Sequence, residues 1–370
     1  MKILVTSDLH LSEKIWKHRP IFGDSYNSWK QIVDIAQEYN VDLVILAGDV
    51  LDKQINYAPV IRELNAGLTQ LGQIPVLFIQ GQHDYQTTPW IKVANTKTQW
   101  LKADDSIELQ NDWVVAGTDF LQEEDFKQFL SSDPVLTADI LICHQVWKDF
   151  MGEVGKPQAC FEEVPENIKL LITGDFHETI CMKYKEMMVL SPGSTHLRSL
   201  SEPCDKSVFI VTLQNNANND VTVETVPLNT RRLYRLDVTN NEDLSQIDAF
   251  LSDNQKYISK HELPPELHMP IMYITHKKNQ TSLVQYCNEK FTDKAHLFYK
   301  VIKDNGESVV IDELNTGHRV TLKDCLSQYV DKEEDPEVYN LALAFLDNED
   351  TALTLNKWLY GQLGESQDAN

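Results

Sequence analysis

Five times in this chain a short apolar run stops at a cluster of Gly, Asp and His. The runs are Leu4-Val5-Thr6-Ser7-Asp8-Leu9-His10, Ile45-Leu46-Ala47-Gly48-Asp49-Val50-Leu51-Asp52, Phe78-Ile79-Gln80-Gly81-Gln82-His83-Asp84, Leu141-Ile142-Cys143-His144 and Ile172-Thr173-Gly174-Asp175-Phe176-His177. Apolar runs of this length, bounded by turn residues, read as buried strands. The candidate strands are Lys2–Ser7, Leu43–Ala47, Val76–Gln80, Trp113–Gly117, Ile140–Cys143 and Leu170–Thr173. Helical stretches lie between them, at Ser28–Tyr39, Pro59–Leu71 and Glu123–Ser131. In the first of these, Trp29, Ile32, Val33 and Ala36 make an apolar stripe at helical spacing. Alternating helices and continuously apolar strands predict an α/β fold with sheet buried on both faces.

Ligands of such sheets sit beyond the carboxyl ends of the strands. Five ends carrying Asp, His and amide groups can converge there on one dinuclear metal site. Asp8 and His10 are two apart, so an extended segment would project both to one face. Asp49 follows a glycine, which is expected to leave room for a metal. Carboxylate, imidazole and amide ligands suit Mn²⁺, Mg²⁺ or Fe²⁺. The six cysteines have no zinc-like spacing and read as reduced, mostly buried thiols. A formal net charge of −23 argues against a free-standing nucleic-acid binder, which usually needs basic surface. It leaves room for a nuclease whose cations and partner supply the positive charge. No apolar run approaches a membrane span, and Asp8 comes too early for a signal peptide, so a cytoplasmic protein is expected (the host cytoplasm for a phage-encoded chain).

Further along, Ser207–Leu213 and Val221–Val226 flank an Asn-rich turn and read as a hairpin. A small α/β module follows: strand Leu233–Val238, helix Asp243–Ile258, strand Ile271–Thr275, helix Ser282–Phe291 and strand His296–Lys303. After Gly317 the pattern is helical, with stripes through Leu322, Cys325, Leu326, Tyr329 and Val330, through Val338, Leu341, Ala342, Phe345 and Leu346, and through Leu355, Trp358, Leu359 and Leu363.

The series Asp8-x-His10, Gly48-Asp49-x-x-Asp52, Gly81-Gln82-His83-Asp84, His144 and Gly174-Asp175-x-His177 resembles the five-motif pattern of the calcineurin-like metallophosphoesterases. Within that family it looks most like the SbcD-type DNA repair and recombination nucleases, the shorter phage exonucleases in particular. The resemblance implies a metallophosphoesterase β-sandwich flanked by helices over residues 1–230. It further implies an α/β capping domain over 231–318 and a helical partner-binding segment over 319–370. It implies two divalent cations, Mn²⁺ first and Mg²⁺ as the alternative. Asp8, His10 and His177 would hold one; Asp49 would bridge; Gln82, His144 and Asp175 would complete the second. Asp49 and His83 would be catalytic, His83 at the scissile phosphate. The family pattern has Asn where Gln82 stands and His where Asp175 stands, so both departures fall on the second metal. The implied partners are DNA and an SbcC-type coiled-coil ABC ATPase, with a homodimer inside a heterotetramer and no membrane.

Some residues outside the motifs carry two readings. His196 and Arg198, beyond the Ser191-Pro192-Gly193-Ser194-Thr195 loop, either touch phosphate or serve the fold. The basic groups Lys14, Lys17, His18 and Arg19, and Arg231, Arg232 and Arg235, either contact DNA backbone or form a solvated face. Val146–Pro165, with Trp147, Phe150 and Phe161, reads as packing surface before it reads as a loop over the site. The expected function is a DNA exonuclease, with endonuclease activity left open, inside an ATPase-driven complex. The alternatives are a phosphoesterase acting on nucleotides or phosphoproteins, and a non-catalytic scaffold with a degenerate metal site.

Overall fold

The structure is a computed structural model describing residues 1–13, 21–54, 58–95, 97–151, 157–214, 220–238, 245–277, 281–302 and 308–311. The basic group at 14–19 and the helical segment at 319–370 lie outside the described residues. Met1–Ile311 forms one compact unit.

The chain begins with β1 (Lys2–Thr6), α1 (Asp24–Glu38), β2 (Leu43–Ala47), α2 (Ala58–Gln70), β3 (Val76–Ile79) and α3 (Trp90–Ala94). It continues through β4 (Gln99–Trp100), β5 (Ser106–Glu108), β6 (Val114–Gly117), α4 (Glu123–Leu130), α5 (Asp133–Leu136), β7 (Ile140–His144) and α6 (Lys148–Met151). Then come β8 (Leu170–Gly174), the hairpin β9 (Ile180–Tyr184) and β10 (Met187–Ser191), and the hairpin β11 (Lys206–Leu213) and β12 (Val221–Leu228). One sheet has the order β12-β11-β1-β2-β3-β4, the other β5-β6-β7-β8-β10-β9. This is the helix-flanked sandwich the resemblance implied.

The apolar strands are explained by burial on both faces. Along β1, Ile3 and Val5 face the core between the sheets, while Leu4 faces α1 and α2. The same two-residue period sends Leu43, Ile45 and Ala47 inward and Val44 and Leu46 outward on β2. On β7, Ile140 and Ile142 enter the shared core, and Leu141 and Cys143 pack under Phe126 and Phe129 of α4. The continuous runs therefore serve two layers at once. Trp147, Phe150 and Phe161 join the outer cluster of the second sheet, so these three residues serve packing.

Three readings need correction. α1 starts at Asp24 rather than Ser28, because Gly23 at φ 85° turns the chain into the helix. The short strands β4 and β5 and the hairpin β9–β10 carried too little apolar pattern to be seen in sequence. Of the described cysteines, all free, only Cys143 and Cys287 are buried; Cys181 is exposed on β9, an edge strand.

The later module has β13 (Leu233–Val238), α7 (Ser245–His261), β14 (Ile271–Lys277), α8 (Thr281–Phe291), β15 (His296–Ile302) and β16 (Ser308–Ile311). β13, β14 and β15 pair in parallel, and β16 closes the edge antiparallel. Its near end shares a small core with the residues before α1 and the loop after β10: Ile21 and Leu197 meet Leu233, Ile271 and Phe298. The junction arginines differ in exposure: Arg231 is buried, Arg232 half-buried and Arg235 exposed. Arg231 is 1% exposed and holds Asp24 through Nε at 2.9 Å and Nη2 at 3.0 Å. It also donates to the carbonyls of Phe22, Glu266 and Met269. Arg235 donates to the carbonyls of Leu200 and Glu202. Arg231 is thereby committed to the fold, whereas Arg235 makes its bonds from an exposed position. Arg232 lies over the Tyr257 ring and pairs with Asp205 at 3.4 Å.

Candidate metal centre

The loops after β1 and β2 run side by side. Asp8 N donates to Gly48 O at 3.1 Å, His10 N to Asp49 O at 2.9 Å, and Leu11 N to Val50 O at 2.9 Å. Asp8, His10, Asp49 and Asp175 all have positive φ, at 50°, 41°, 48° and 74°. Such strain gathers where the surrounding structure fixes a functional side chain. The Asp8–His10 segment is therefore not extended, and the two side chains meet through left-handed turns instead of strand alternation.

The glycine positions also differ from expectation. A Cβ at Gly48 would lie 2.2 Å from His144 Nδ1, and one at Gly174 2.3 Å from the same atom. One at Gly81 would lie 2.1 Å from Asp49 Oδ1 and 2.7 Å from His144 Nε2. The room beside Gly48 holds the His144 imidazole. Its Nδ1 donates to Ala47 O at 2.8 Å, so in the neutral ring Nε2 is the nitrogen left to ligate.

Three sets of side chains each offer ligand atoms within 4.8 Å of one another: Asp8, His10 and His177; His10, Asp49 and His83; and Asp8, Asp49 and His144. His144 Nε2 lies 3.5 Å from Asp49 Oδ2, His10 Nε2 3.6 Å from the same oxygen, and His177 Nε2 3.7 Å from Asp8 Oδ1. Atoms about 2.1 Å from one ion sit roughly 3 to 3.5 Å apart, so these gaps are close to those of ligands around a cation. The donor set fits. Buried His10 Nδ1 and Nε2, Asp49 Oδ2, Gln82 Oε1 and His144 Nε2 have no hydrogen-bond partner, a costly condition unless something else satisfies them. Asp8, His10, Asp49, His144 and His177 are thus brought together. Asp175 belongs to none of the three sets; Gln82 Nε2 donates to its Oδ1 at 2.6 Å.

The electrostatics favour positive charge at the centre. Burial would lower His144, but Asp49 and Asp8 outweigh it and hold the imidazole well above its ordinary value. Burial pushes Asp8 up against the pull of His144 and His177. Burial would raise Asp49 too, yet His144 and His83 keep it below the usual carboxylate range. Burial, then Arg198, hold His10 well below an ordinary imidazole, neutral and free to ligate. His83 stands at the rim, 42% exposed, with Nδ1 on the Asp52 carbonyl at 3.2 Å and Nε2 4.0 Å from Asp49 Oδ2.

Residues behind the ligand set hold this arrangement, Glu202 and Lys206 among them outside the sequence reading. Glu202 accepts from His177 Nδ1 at 2.8 Å, Lys206 Nζ at 2.8 Å, Ser194 Oγ at 3.1 Å and Arg198 N at 3.0 Å. It fixes the His177 ring so that Nε2 faces Asp8, as a carboxylate behind a ligand imidazole does. Asp84 takes the amides of Val50 and Gly81 at 2.8 and 2.9 Å; burial and the Asp49 charge push its carboxyl up to about 7. The Asp52 carboxylate pairs with Arg198 and lies 3.6 Å from His10 Nδ1. Arg198 is therefore engaged at the site's edge, and His196 is fully buried and held well below its usual value by burial, Arg198 and Lys206. A carboxylate four residues before a lysine was the only local sign of Glu202.

Burial would raise Glu202, but His177 and Lys206 bring it down to about 2 from an ordinary 4.5. A lowered carboxylate stabilises the fold above its unfolded pKa, and that stability is lost as pH falls through its folded value. In the metal-free protein, Glu202→Gln is expected to cost on the order of 3 kcal/mol near neutrality. The gap from wild type should close between about pH 4.5 and about 2. Urea midpoints across that range measure it; a gap independent of pH would mean that the Glu202 charge does not anchor the loop.

Residues 1–216 match the family model described as the calcineurin-like phosphoesterase superfamily domain. That span exceeds half of the chain, and the chain belongs to this family. Among curated proteins it is similar to the DNA double-strand break repair protein Mre11 of Methanosarcina mazei, 23% identical over 240 residues. That match covers 61% of this chain and 38% of the relative, so the chain spans well under half of that relative's length. The Mre11 of Sulfolobus acidocaldarius is 23% identical over 354 residues, covering 89% of this chain and 90% of that protein. Among solved structures, an archaeal phosphodiesterase superposes with TM-score 0.35 at 16% identity, over 61% of this chain and all of the other. Among the described residues no helix is long and apolar enough to cross a membrane.

Proposed function

We propose that this protein is a metal-dependent DNA nuclease, the hydrolytic subunit of an SbcCD-like ATPase–nuclease complex in repair or recombination. The observation that carries the reading is the convergence of Asp8, His10, Asp49, His144 and His177, with His10 Nδ1 and Nε2, Asp49 Oδ2 and His144 Nε2 buried and unpartnered. The Mre11 relatives at about 23% identity support DNA as substrate.

Two divalent cations, Mn²⁺ or Mg²⁺, would supply Lewis acidity toward a phosphodiester and a more acidic water. Asp8, His10 and His177 would hold one, and Asp49, His144 and Gln82 the other, with Asp49 shared. Asp49 Oδ1 already takes the His83 amide at 2.9 Å, which leaves Oδ2 free toward the centre. With Nδ1 on the Asp52 carbonyl, His83 keeps Nε2 to exchange a proton with a leaving oxygen. The α/β module supports a macromolecular substrate. Arg235 ties it to the carbonyl of Glu202, which in turn holds His177. Residues 319–370, amphipathic by sequence, are the proposed docking segment for the coiled-coil ATPase.

The test is degradation of end-labelled DNA by the purified chain, with and without the ATPase, in Mn²⁺, beside a small phosphodiester ester. Loss of label that EDTA abolishes is the expected result. Hydrolysis of the small ester alone would favour a nucleotide or phosphoprotein substrate. Activity on neither would leave the scaffold. Deleting residues 320–363 should abolish co-elution with the ATPase while metal binding persists; tight co-elution of the deleted chain would refute the docking assignment.

A further inference from the structure

The two positions that depart from the family pattern touch each other. Gln82 Nε2 lies 2.6 Å from Asp175 Oδ1. A carboxylate only accepts, so the amide end that faces Asp175 is the NH₂, and Oε1 is the opposite end. That oxygen is buried and has no hydrogen-bond partner. Asp175 is itself held: its φ of 74° is a conformation that Asp tolerates better than most residues, and its N–H donates to the Asp8 carboxylate at 3.2 Å. Its carboxylate joins none of the three ligand sets.

We propose that Asp175 is a positioning residue for the second cation, one that fixes the Gln82 amide with its oxygen free to ligate. This rests on the two-cation reading above. It replaces the expectation that Asp175 is itself a ligand. The physical basis is reach and polarity. Glutamine is one methylene longer than asparagine, and the extra length carries its amide to an acceptor at 175. A histidine there would offer a ring nitrogen in place of a carboxylate. The two substitutions thus work as one unit: the longer amide needs a tether, and the carboxylate is that tether. Gln82 contributes the ligand atom and Asp175 removes the rotamer freedom that would otherwise oppose its binding.

The test is calorimetric titration of the full chain with MnCl₂, together with the electron paramagnetic resonance spectrum of the bound Mn²⁺, for wild type, Asp175→Asn, Asp175→Ala, Gln82→Ala and the double alanine variant. Wild type should bind two Mn²⁺ with a spin-coupled spectrum. Asp175→Asn keeps a carbonyl acceptor and should keep two ions at near wild-type affinity. Asp175→Ala should weaken one ion by about 10- to 100-fold, the usual effect of losing a residue that orients a ligand. Gln82→Ala should weaken the same ion, and the double variant should be no worse than Gln82→Ala, because a tether without its ligand does nothing. Additive losses in the double variant, or an Asp175→Asn as weak as Asp175→Ala, would make Asp175 a ligand and overturn the proposal. If Asp175→Ala does not fold, Asp175→Asn against Gln82→Ala still decides. Fewer than two Mn²⁺ on wild type would instead overturn the two-cation reading, and the tether with it.

Discussion

His83→Ala is expected to lower phosphodiester hydrolysis on the order of 10²- to 10⁴-fold, the range for loss of a positioned proton donor, while Mn²⁺ binding persists. Its side chain is 42% exposed at the rim, and its removal opens no buried cavity. Asp49→Ala should behave differently. Asp49 is buried, closes on His10 and His144 at 3.6 and 3.5 Å, and takes the His83 amide through its other oxygen. Its loss should remove metal and activity together. Mn²⁺ titration and nuclease rate on both variants separate the roles. Undiminished rate in His83→Ala would remove it from the proton transfer, and parallel loss of metal would make it a ligand, as its place beside His10 and Asp49 allows.

The second large effect concerns stability. Arg231→Met leaves the Asp24 carboxylate buried without its bidentate partner and strips the carbonyls of Phe22, Glu266 and Met269 of a donor. Breaking one side of a buried pair costs about 3 to 5 kcal/mol. The urea midpoint should fall accordingly, whereas Asp24→Leu combined with Arg231→Met should recover part of the loss, because no uncompensated charge remains. A double variant less stable than Arg231→Met would show that the stranded charge is not the source of the cost. Since Arg231 joins α1 to the residues before β14, this pair also holds the α/β module against the sandwich.

Much of this was legible in the chain because it is local. The two-residue alternation within β1, β2 and β7 follows from how side chains leave a strand, and it sets which residues enter the inter-sheet core. Ligand chemistry is also local: Asp8, His10, Asp49, His144 and His177 were readable as a set from residue type and from their place after apolar runs. Element edges were less so. α1 begins at Asp24 because of Gly23 and a partner far along the chain, and β4 and β5 are too short to show a period.

The sequence by itself determined the main strands and helices, the residue types gathered at the centre and the family. Only the tertiary structure decided what stands behind each donor. Glu202 is 25 residues from His177, Asp175 is 93 from Gln82, and Arg231 is 207 from Asp24. No periodicity or motif spacing links such pairs. They are selected because a buried carboxylate, amide or guanidinium must find a partner once packing has removed water. Packing also made the glycines at 48 and 174 a seat for the His144 ring rather than an opening for metal. Side-chain type is written residue by residue, whereas the need for a partner arises only when distant segments exclude solvent together.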